Sequence, residues 1–502
     1  MNTSNIPVLI PAVFMFAALA VPMVGLWKRS LSIYPALLAS LLAAWYSASG
    51  LMHTIEHGAV SYHLSGWVPP IGIEYVLDPL SAFICLVITA VTTVVLFFSR
   101  KIVKFETPDK EMPFYALAML LLMGLTGMVM TGDFFNLYVF LEISALAGYA
   151  LVAIGDKRAP VAAFKYLTLG TAGAAFYLLG VSFIFISTGT LNMADVASVI
   201  HLVDHTVPVM IGLSLIVLGT GLKMALFPMH AWMPDAYSYA SSAATALIAP
   251  IGTKVSAYVL LRIMFDVFEP GYSAGELPLA QIVGYLGAIG VIWGSILAIC
   301  QKELKTMLAY SSVAQVGYIG IGIGLASPLG FIGAVLHILN HACMKACLFL
   351  ISGCLRFRLG HSWIPKFEDS LRITMPWTAV AFVVAAISMI GLPPTAGFFS
   401  KWYLALGSIE QGAWIFLVVL LVSSLLNAVY FFRIIEKMYI RPQSEEMIKA
   451  QEQAESPTWG RKEAPWSMLG PVMLLAVSLL VLGVFNVWIV SNFIEFMIPI
   501  GL

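Results

Sequence analysis

One device recurs along this chain about fourteen times: an apolar stretch as long as the hydrocarbon core of a bilayer is thick. A helix needs about 20 such residues to cross that core. Windows of this kind fall near 6–26, 31–51, 79–99, 112–130, 134–153, 160–187, 208–231, 242–265, 279–299, 307–325, 329–352, 376–403, 412–434 and 466–490. Only 10% of the residues are charged, against roughly 25% in a soluble domain, so the chain has too little polar surface to face water all round. The pattern predicts an all-α polytopic membrane protein of about 14 transmembrane helices. The first stretch follows an uncharged N-terminus without a convincing cleavage site, and is expected to stay as a helix. A net charge of zero and the lack of a basic face argue against nucleic acid as a partner. The five cysteines form no C-x-x-C and read as small buried hydrophobes, so no disulfide framework, metal or cofactor site is expected.

The connections test the count. Those numbered 1, 3, 5, 9, 11 and 13 hold Lys28 and Arg29; Arg100, Lys101, Lys104 and Lys110; Lys157 and Arg158; Lys302 and Lys305; Arg356, Arg358, Lys366 and Arg372; and Arg433, Lys437, Arg441, Lys449, Arg461 and Lys462. Twenty of the 26 Lys and Arg residues are thereby in odd connections. The even ones hold none, and carry His53, Glu56, His57, His63, Asp195, Asp204, Asp266 and Glu276 instead. Basic loops stay cytoplasmic. Odd connections should face inward and both termini outward.

The remaining six cations all fall inside predicted spans: Lys165, Lys223, Lys254, Arg262, Lys345 and Lys401. A cation at mid-membrane costs about 2.5–3.5 kcal/mol on insertion scales, so it normally faces a cavity or a partner. Snorkelling from a helix end is the plain alternative. It suits Arg262, near the outer end of span 8, and competes evenly for Lys165, one turn into span 6. Lys223 and Lys254 lie about half-way along their spans, where snorkelling is hard. Glu142, in the middle of span 5, is the one carboxylate well inside a span. A Glu–Lys contact that forms and breaks would be a proton switch, because pairing favours the charged forms and separation in a dry setting the neutral ones. A permanent ion pair joining two helices is the other reading.

Span 11 carries His337, His341 and Lys345, with Asn340 beside them. A spacing of four puts the three ionisable groups on one helical face, about 6 Å apart along the axis. Imidazole accepts on one nitrogen and donates from the other, which suits a relay. A lone membrane histidine would more often be a helix–helix hydrogen bonder; two in register with a lysine favour the relay.

Two spans are interrupted where charges lie. Span 7 runs Lys223-Met-Ala-Leu-Phe-Pro228 and on through His230 to Pro234-Asp235. Span 12 runs Gly391-Leu-Pro393-Pro394-Thr-Ala-Gly397-Phe-Phe-Ser-Lys401. Proline removes a backbone donor and clashes with the preceding turn. Irregular backbone at membrane depth is tolerated only against protein or a water-filled cavity, and broken helices in matching halves mark transport pathways. Spans 4–8 and 9–13 number five each, with the breaks in corresponding places; an odd number makes the repeat inverted. The expected organisation is helices 1–3 over residues 1–111, a first repeat over 112–265, a second over 279–435, and a cytoplasmic connection with helix 14 over 436–502.

These residues resemble the antiporter-like family shared by Mrp-type cation/proton antiporters, membrane-bound hydrogenases and proton-pumping respiratory complex I. The resemblance covers nearly the whole chain. It runs through Glu74 to Ser81 before span 3, Tyr138-Val-Phe-Leu-Glu142, Lys165-Tyr166, Lys223 with Phe-Pro-Met-His230-Ala-Trp-Met-Pro-Asp235, Lys254, Lys305-Thr-Met-Leu-Ala-Tyr-Ser-Ser, His337-x-x-Asn-His341-x-x-x-Lys345, and Gly391 to Lys401. It implies that Glu142 pairs with Lys223, that Lys254 and the span-11 histidines connect two half-channels, and that Lys401 gates the outer exit. Lys165, His230 and Asp235 join as possible relay members. The sequence ends soon after span 14, so the long lateral helix of the most distal complex I subunit is not expected, and lysine stands at 401 where one complex I subunit type has glutamate. Both points lean towards the D-type member of an Mrp antiporter or its counterpart in a hydrogenase or similar redox complex.

The expected function is proton translocation, or cation/proton antiport, by one subunit of a larger membrane assembly. A hydrogenase or complex I-like redox complex is the alternative parent. A stand-alone small-solute transporter lacks a dedicated pocket in the sequence, and a quinone-binding redox subunit lacks any cofactor motif. Residues 433–465 could dock a partner or form a solvated loop.

Overall fold

The computed structural model describes residues 3–155, 157–203, 207–367, 371–440 and 462–502. Most of the 433–465 connection, with Arg441, Lys449 and Arg461, lies outside them, as does Asp204.

Helices α1 (Ile6–Trp27), α2 (Ile33–His57), α3 (Pro79–Glu106), α4 (Glu111–Met130), α5 (Phe134–Ala153) and α6 (Ala159–Thr188) come first, and a short α7 (Met193–Val199) follows. Then come α8 (Val207–Met224), the short α9 (Met233–Tyr239), α10 (Ser242–Arg262), α11 (Leu279–Cys300), α12 (Leu304–Leu325) and α13 (Pro328–Leu359). A single turn α14 (Leu371–Thr374) leads to α15 (Pro376–Ile390), α16 (Ala396–Glu410), α17 (Trp414–Tyr439), α18 (Trp466–Val484) and α19 (Asn486–Asn492). Among the described residues, 13 helices are long and apolar enough to cross a membrane. The fourteenth expected span is the broken pair α15 and α16. One hairpin, β1 (Val60–His63) on β2 (Glu74–Leu77), joins α2 to α3 with Val60 opposite Leu77.

Local chemistry fixes the helix ends. The Asp78-Pro-Leu-Ser81 sequence is a reciprocal cap: Ser81 N donates to Asp78 Oδ1 and Asp78 N to Ser81 Oγ, both at 2.8 Å, and Pro79 has no N–H to leave unpaired. Asp133 caps α5 by accepting from Asn136 N at 2.6 Å, and burial raises the pKa of this carboxyl at the helix mouth.

Helix-on-helix packing in a bilayer lacks a hydrophobic drive and relies on close approach of backbones. The α11–α12 contact does this: a Cβ built on Gly324 would stand 2.4 Å from Gly284 Cα, so a methyl group there would force the two helices apart.

Burial divides the bundle. In the most apolar windows of α10, α12 and α13, 94% of the residues are inside the protein, against 33–39% in α1, α2, α6, α17 and α18. The central helices are those that carry Lys254, Lys305, His337, His341 and Lys345. Lys305 corrects the sequence reading, which places it in connection 9. It is fully buried in the first turn of α12, and its Nζ donates to the Ala240 carbonyl at 2.5 Å. Arg262 reaches to the outer helix ends but is not left to solvent: its guanidinium is mostly buried and paired with Asp78 and, at 3.7 Å, with Asp266.

Candidate functional site

The two predicted interruptions are real, and each presents a lysine. Helix α8 stops one residue past Lys223, and eight residues pass before α9 begins. Trp232, inside this break, donates its indole N–H to the Leu222 carbonyl at 3.0 Å, beside the Ala225 N–H at 3.1 Å, so the helix end is capped from within the break. Lys223 Nζ lies 3.6 Å from Glu142 Oε1 of α5, with the two side chains 8% and 23% exposed. It also donates to the Tyr149 hydroxyl at 3.3 Å. Tyr149 meets Tyr166 edge-on, and Tyr166 stacks flat on Trp232 at 4.1 Å, so the aromatic cluster fixes both the break and the lysine.

In span 12, α15 stops at Ile390 and α16 starts at Ala396. Gly391 closes α15 with φ +89°, and a Cβ on it would stand 2.9 Å from Lys401 Cδ, so glycine serves both the turn and the lysine's stem. Lys401 reaches back from α16. Its Nζ donates to the carbonyls of Ile390 (2.9 Å) and Met389 (3.2 Å) and to Ser424 Oγ of α17 (3.3 Å). It also lies over the Tyr318 ring at 4.8 Å. Two C-terminal carbonyls, that of Met389 shared with the Asn427 amide at 3.3 Å, and the negative end of a helix thus hold an ammonium group.

Between the breaks run the other predicted residues. Lys254 Nζ donates to the Ala249 carbonyl (2.7 Å) and Thr253 Oγ1 (3.2 Å); among the described residues no carboxylate pairs with it. Thr253 lines a cavity of about 30 Å³ with Lys223, Ser144, Tyr166 and Ser256, space enough for a water molecule. On α13 the rings of His337 and His341 stack at 5.7 Å. His337 Nδ1 meets Ser400 Oγ of α16 at 2.9 Å, one residue before Lys401. Among the described residues, its Nε2, both nitrogens of His341 and the buried Gln315 side-chain amide make no hydrogen bond within the geometric limits of such a bond. Lys345 turns to α12, bonding the Leu308 carbonyl at 2.8 Å and the Ser311 hydroxyl. Asn340 ties α13 to the second break by donating to the Ala396 carbonyl at 2.7 Å.

Three predicted residues stand apart. Lys165 and Asp235 pair at 2.8 Å, each 43% exposed. His230 stacks on Phe227 within the first break. Pro228, Pro393 and Pro394 lie in the interruptions themselves. No group of three or more His, Cys, Asp or Glu able to hold a metal ion occurs among the described residues.

Sequence reasoning misses the neutral partners. Tyr318 meets Ser423 at 2.5 Å and receives from Asn427 at 3.3 Å, and Tyr430 donates to Asn427 at 2.9 Å. This network joins α12 to α17 beside Lys401. Only the buried asparagine offers a signal, since an amide in a span needs partners.

Residues 131–427 match the family described as NADH:quinone oxidoreductase/Mrp antiporter, TM (transmembrane). A protein of Desulforudis audaxviator, named as the N subunit of NADH-quinone oxidoreductase, is 45% identical over 502 residues, covering 99% of each chain. The D-type member of the Na(+)/H(+) antiporter of Alkalihalophilus pseudofirmus is 31% identical over 396 residues, 78% of each chain. A chain of the membrane-bound sulfane sulfur reductase, an archaeal respiratory membrane complex, superposes with a TM-score of 0.87 at 31% identity, over 98% of this chain and 96% of that one. The broken helices, their buried lysines and these likenesses agree: the chain is a multi-pass membrane protein and belongs to the NADH:quinone oxidoreductase/Mrp antiporter family.

Proposed function

We propose that this chain is the ion-translocating subunit of a larger membrane assembly, moving protons, or exchanging a cation for them, along Glu142, Lys223, Lys254, His341, His337 and Lys401. The observation that carries the reading is the near-continuous run of buried ionisable groups between the two helix breaks. A dry protein interior does not keep so many charges without use, since each is costly at membrane depth. Lys223 holds its proton while Glu142 is close; when the pair opens, the proton passes by way of the small cavity and Thr253 to Lys254. From there the imidazole nitrogens of His341 and His337 can carry it to Ser400 and Lys401. Lys345, near the middle of α13 and held by α12, sets the charge one turn beyond His341. Lys165, Asp235 and His230 feed the first pair from the inner mouth.

The same reading makes residues 112–265 and 279–435 two inverted five-helix repeats, with 1–111 before them and 436–502 after. Both termini face outward, as the basic odd connections require. The partners are other membrane subunits. The parent is an Mrp-type antiporter or a related redox-driven complex; the 45% identical relative, named for an NADH-quinone oxidoreductase, supports the redox-driven alternative. Companions co-purifying with the native assembly discriminate: antiporter subunits alone, or iron–sulfur chains.

Lys223→Ala in the native assembly, reconstituted into vesicles, should leave the subunits together and reduce proton movement to background. Wild-type movement in an intact mutant assembly would defeat the proposal.

A further inference from the structure

A second concave site lies far from the relay, where four helix ends converge on the side of the basic connections. It is a cavity of about 460 Å³ lined by the C-terminal turns of α3 (Arg100, Lys101, Lys104), the start of α4 (Glu111, Tyr115) and Phe357 of α13, with Ser30 and Ile33 completing the wall. Three cations face one carboxylate. Neighbouring acids are already committed, Asp109 to Arg29 at 2.6 Å and Glu106 to Arg356 at 3.3 Å. Among the described residues, Arg100, Lys101 and Lys104 make no ion pair or hydrogen bond. Arg100 instead lies over the Tyr34 ring, 5.8 Å from its centre. A volume of this size suits a small polar group, and the uncompensated charge calls for an anion.

What distinguishes this cavity from a patch that would take any anion is what begins beside it. From Tyr34, under Arg100, an apolar stripe runs along α2 through Leu38, Leu41 and Trp45, 49–65% exposed. The spacing of 4, 3 and 4 residues keeps them on one helical face. A cationic cup at the water boundary continued by an apolar stripe into the bilayer matches an amphiphile with an anionic head. We propose that this cavity binds the phosphate of an anionic phospholipid, Lys101 and Lys104 contacting the phosphate, Arg100 bridging head and Tyr34, and an acyl chain lying along α2.

The purified full-length chain should retain phosphatidylglycerol in native mass spectrometry and not phosphatidylcholine. Removing one cation should weaken retention about fivefold, and the triple variant R100Q/K101Q/K104Q on the order of a hundredfold. Lys28→Gln and Lys110→Gln, exposed cations outside the cup, should leave it unchanged; if the triple variant does not fold, the single substitutions K101Q and K104Q carry the test. Equal retention by the cup variants and wild type, or equal retention of phosphatidylcholine, would overturn the proposal. So would displacement of the lipid by millimolar inorganic phosphate, which would make the cup a site for the free anion.

Discussion

The two broken helices solve the same problem with different chemistry. At the first, the lysine precedes the break and its counter-charge is a carboxylate from another helix, Glu142 at 3.6 Å. At the second, the lysine follows the break and turns back onto the carbonyls of Met389 and Ile390. Among the described residues it has no carboxylate partner. An ion pair between mobile side chains can be opened by another charge arriving nearby, and its strength changes steeply with distance in a medium of low dielectric. Carbonyls at a helix end are fixed dipoles, and they hold a cation without a partner that can leave. Under the proposed function, the first break would act as a switch and the second as a rest site.

The difference can be broken or sharpened by substitution. Glu142→Gln should have the largest effect. It removes the counter-charge and leaves Lys223 with only the Tyr149 hydroxyl; losing one member of a buried pair costs about 3–5 kcal/mol, which as a barrier is roughly a hundredfold or more in rate. Proton flux in vesicles should fall by at least that factor, and near-normal flux would make the pair a structural clamp. Gly391→Ala should act in the middle range. It forces a side chain into the left-handed region, at about 1–2 kcal/mol, and crowds the stem of Lys401. Thermal unfolding should begin a few degrees lower and flux should drop severalfold; an unchanged protein would mean that the lysine does not depend on the turn. Ser424→Ala should matter least. It removes one of three acceptors around Lys401, worth about 0.5–1.5 kcal/mol, and flux should stay within about twofold. A larger loss would make the hydroxyl, not the carbonyls, the essential partner.

The number of spans, both breaks and the ionisable residues are legible in the sequence because each is a strong deviation from an apolar background. Less visible is what each charge touches. Lys305 sits at a helix start and reads as part of the loop, since only tertiary packing buries it. Arg262 looks like a snorkelling residue because its partners, Asp78 and Asp266, are ordinary outer-loop residues by position. Thr253, Ser400 and Tyr318 join the candidate relay as neutral hydroxyls. Such groups also satisfy themselves on their own helix, as Thr126 does with the Leu122 carbonyl, so their pattern carries no signal.

Lys254 offers the most direct test, because it lies between the two breaks and has no carboxylate partner among the described residues. Replacing a buried charge with an apolar side chain of similar volume is often neutral or stabilising. Lys254→Met should therefore keep or raise the thermal stability of the assembly while proton flux in vesicles disappears. Undiminished flux through a stable Lys254→Met assembly would contradict the account, because the two breaks would then not be joined through the centre of the protein.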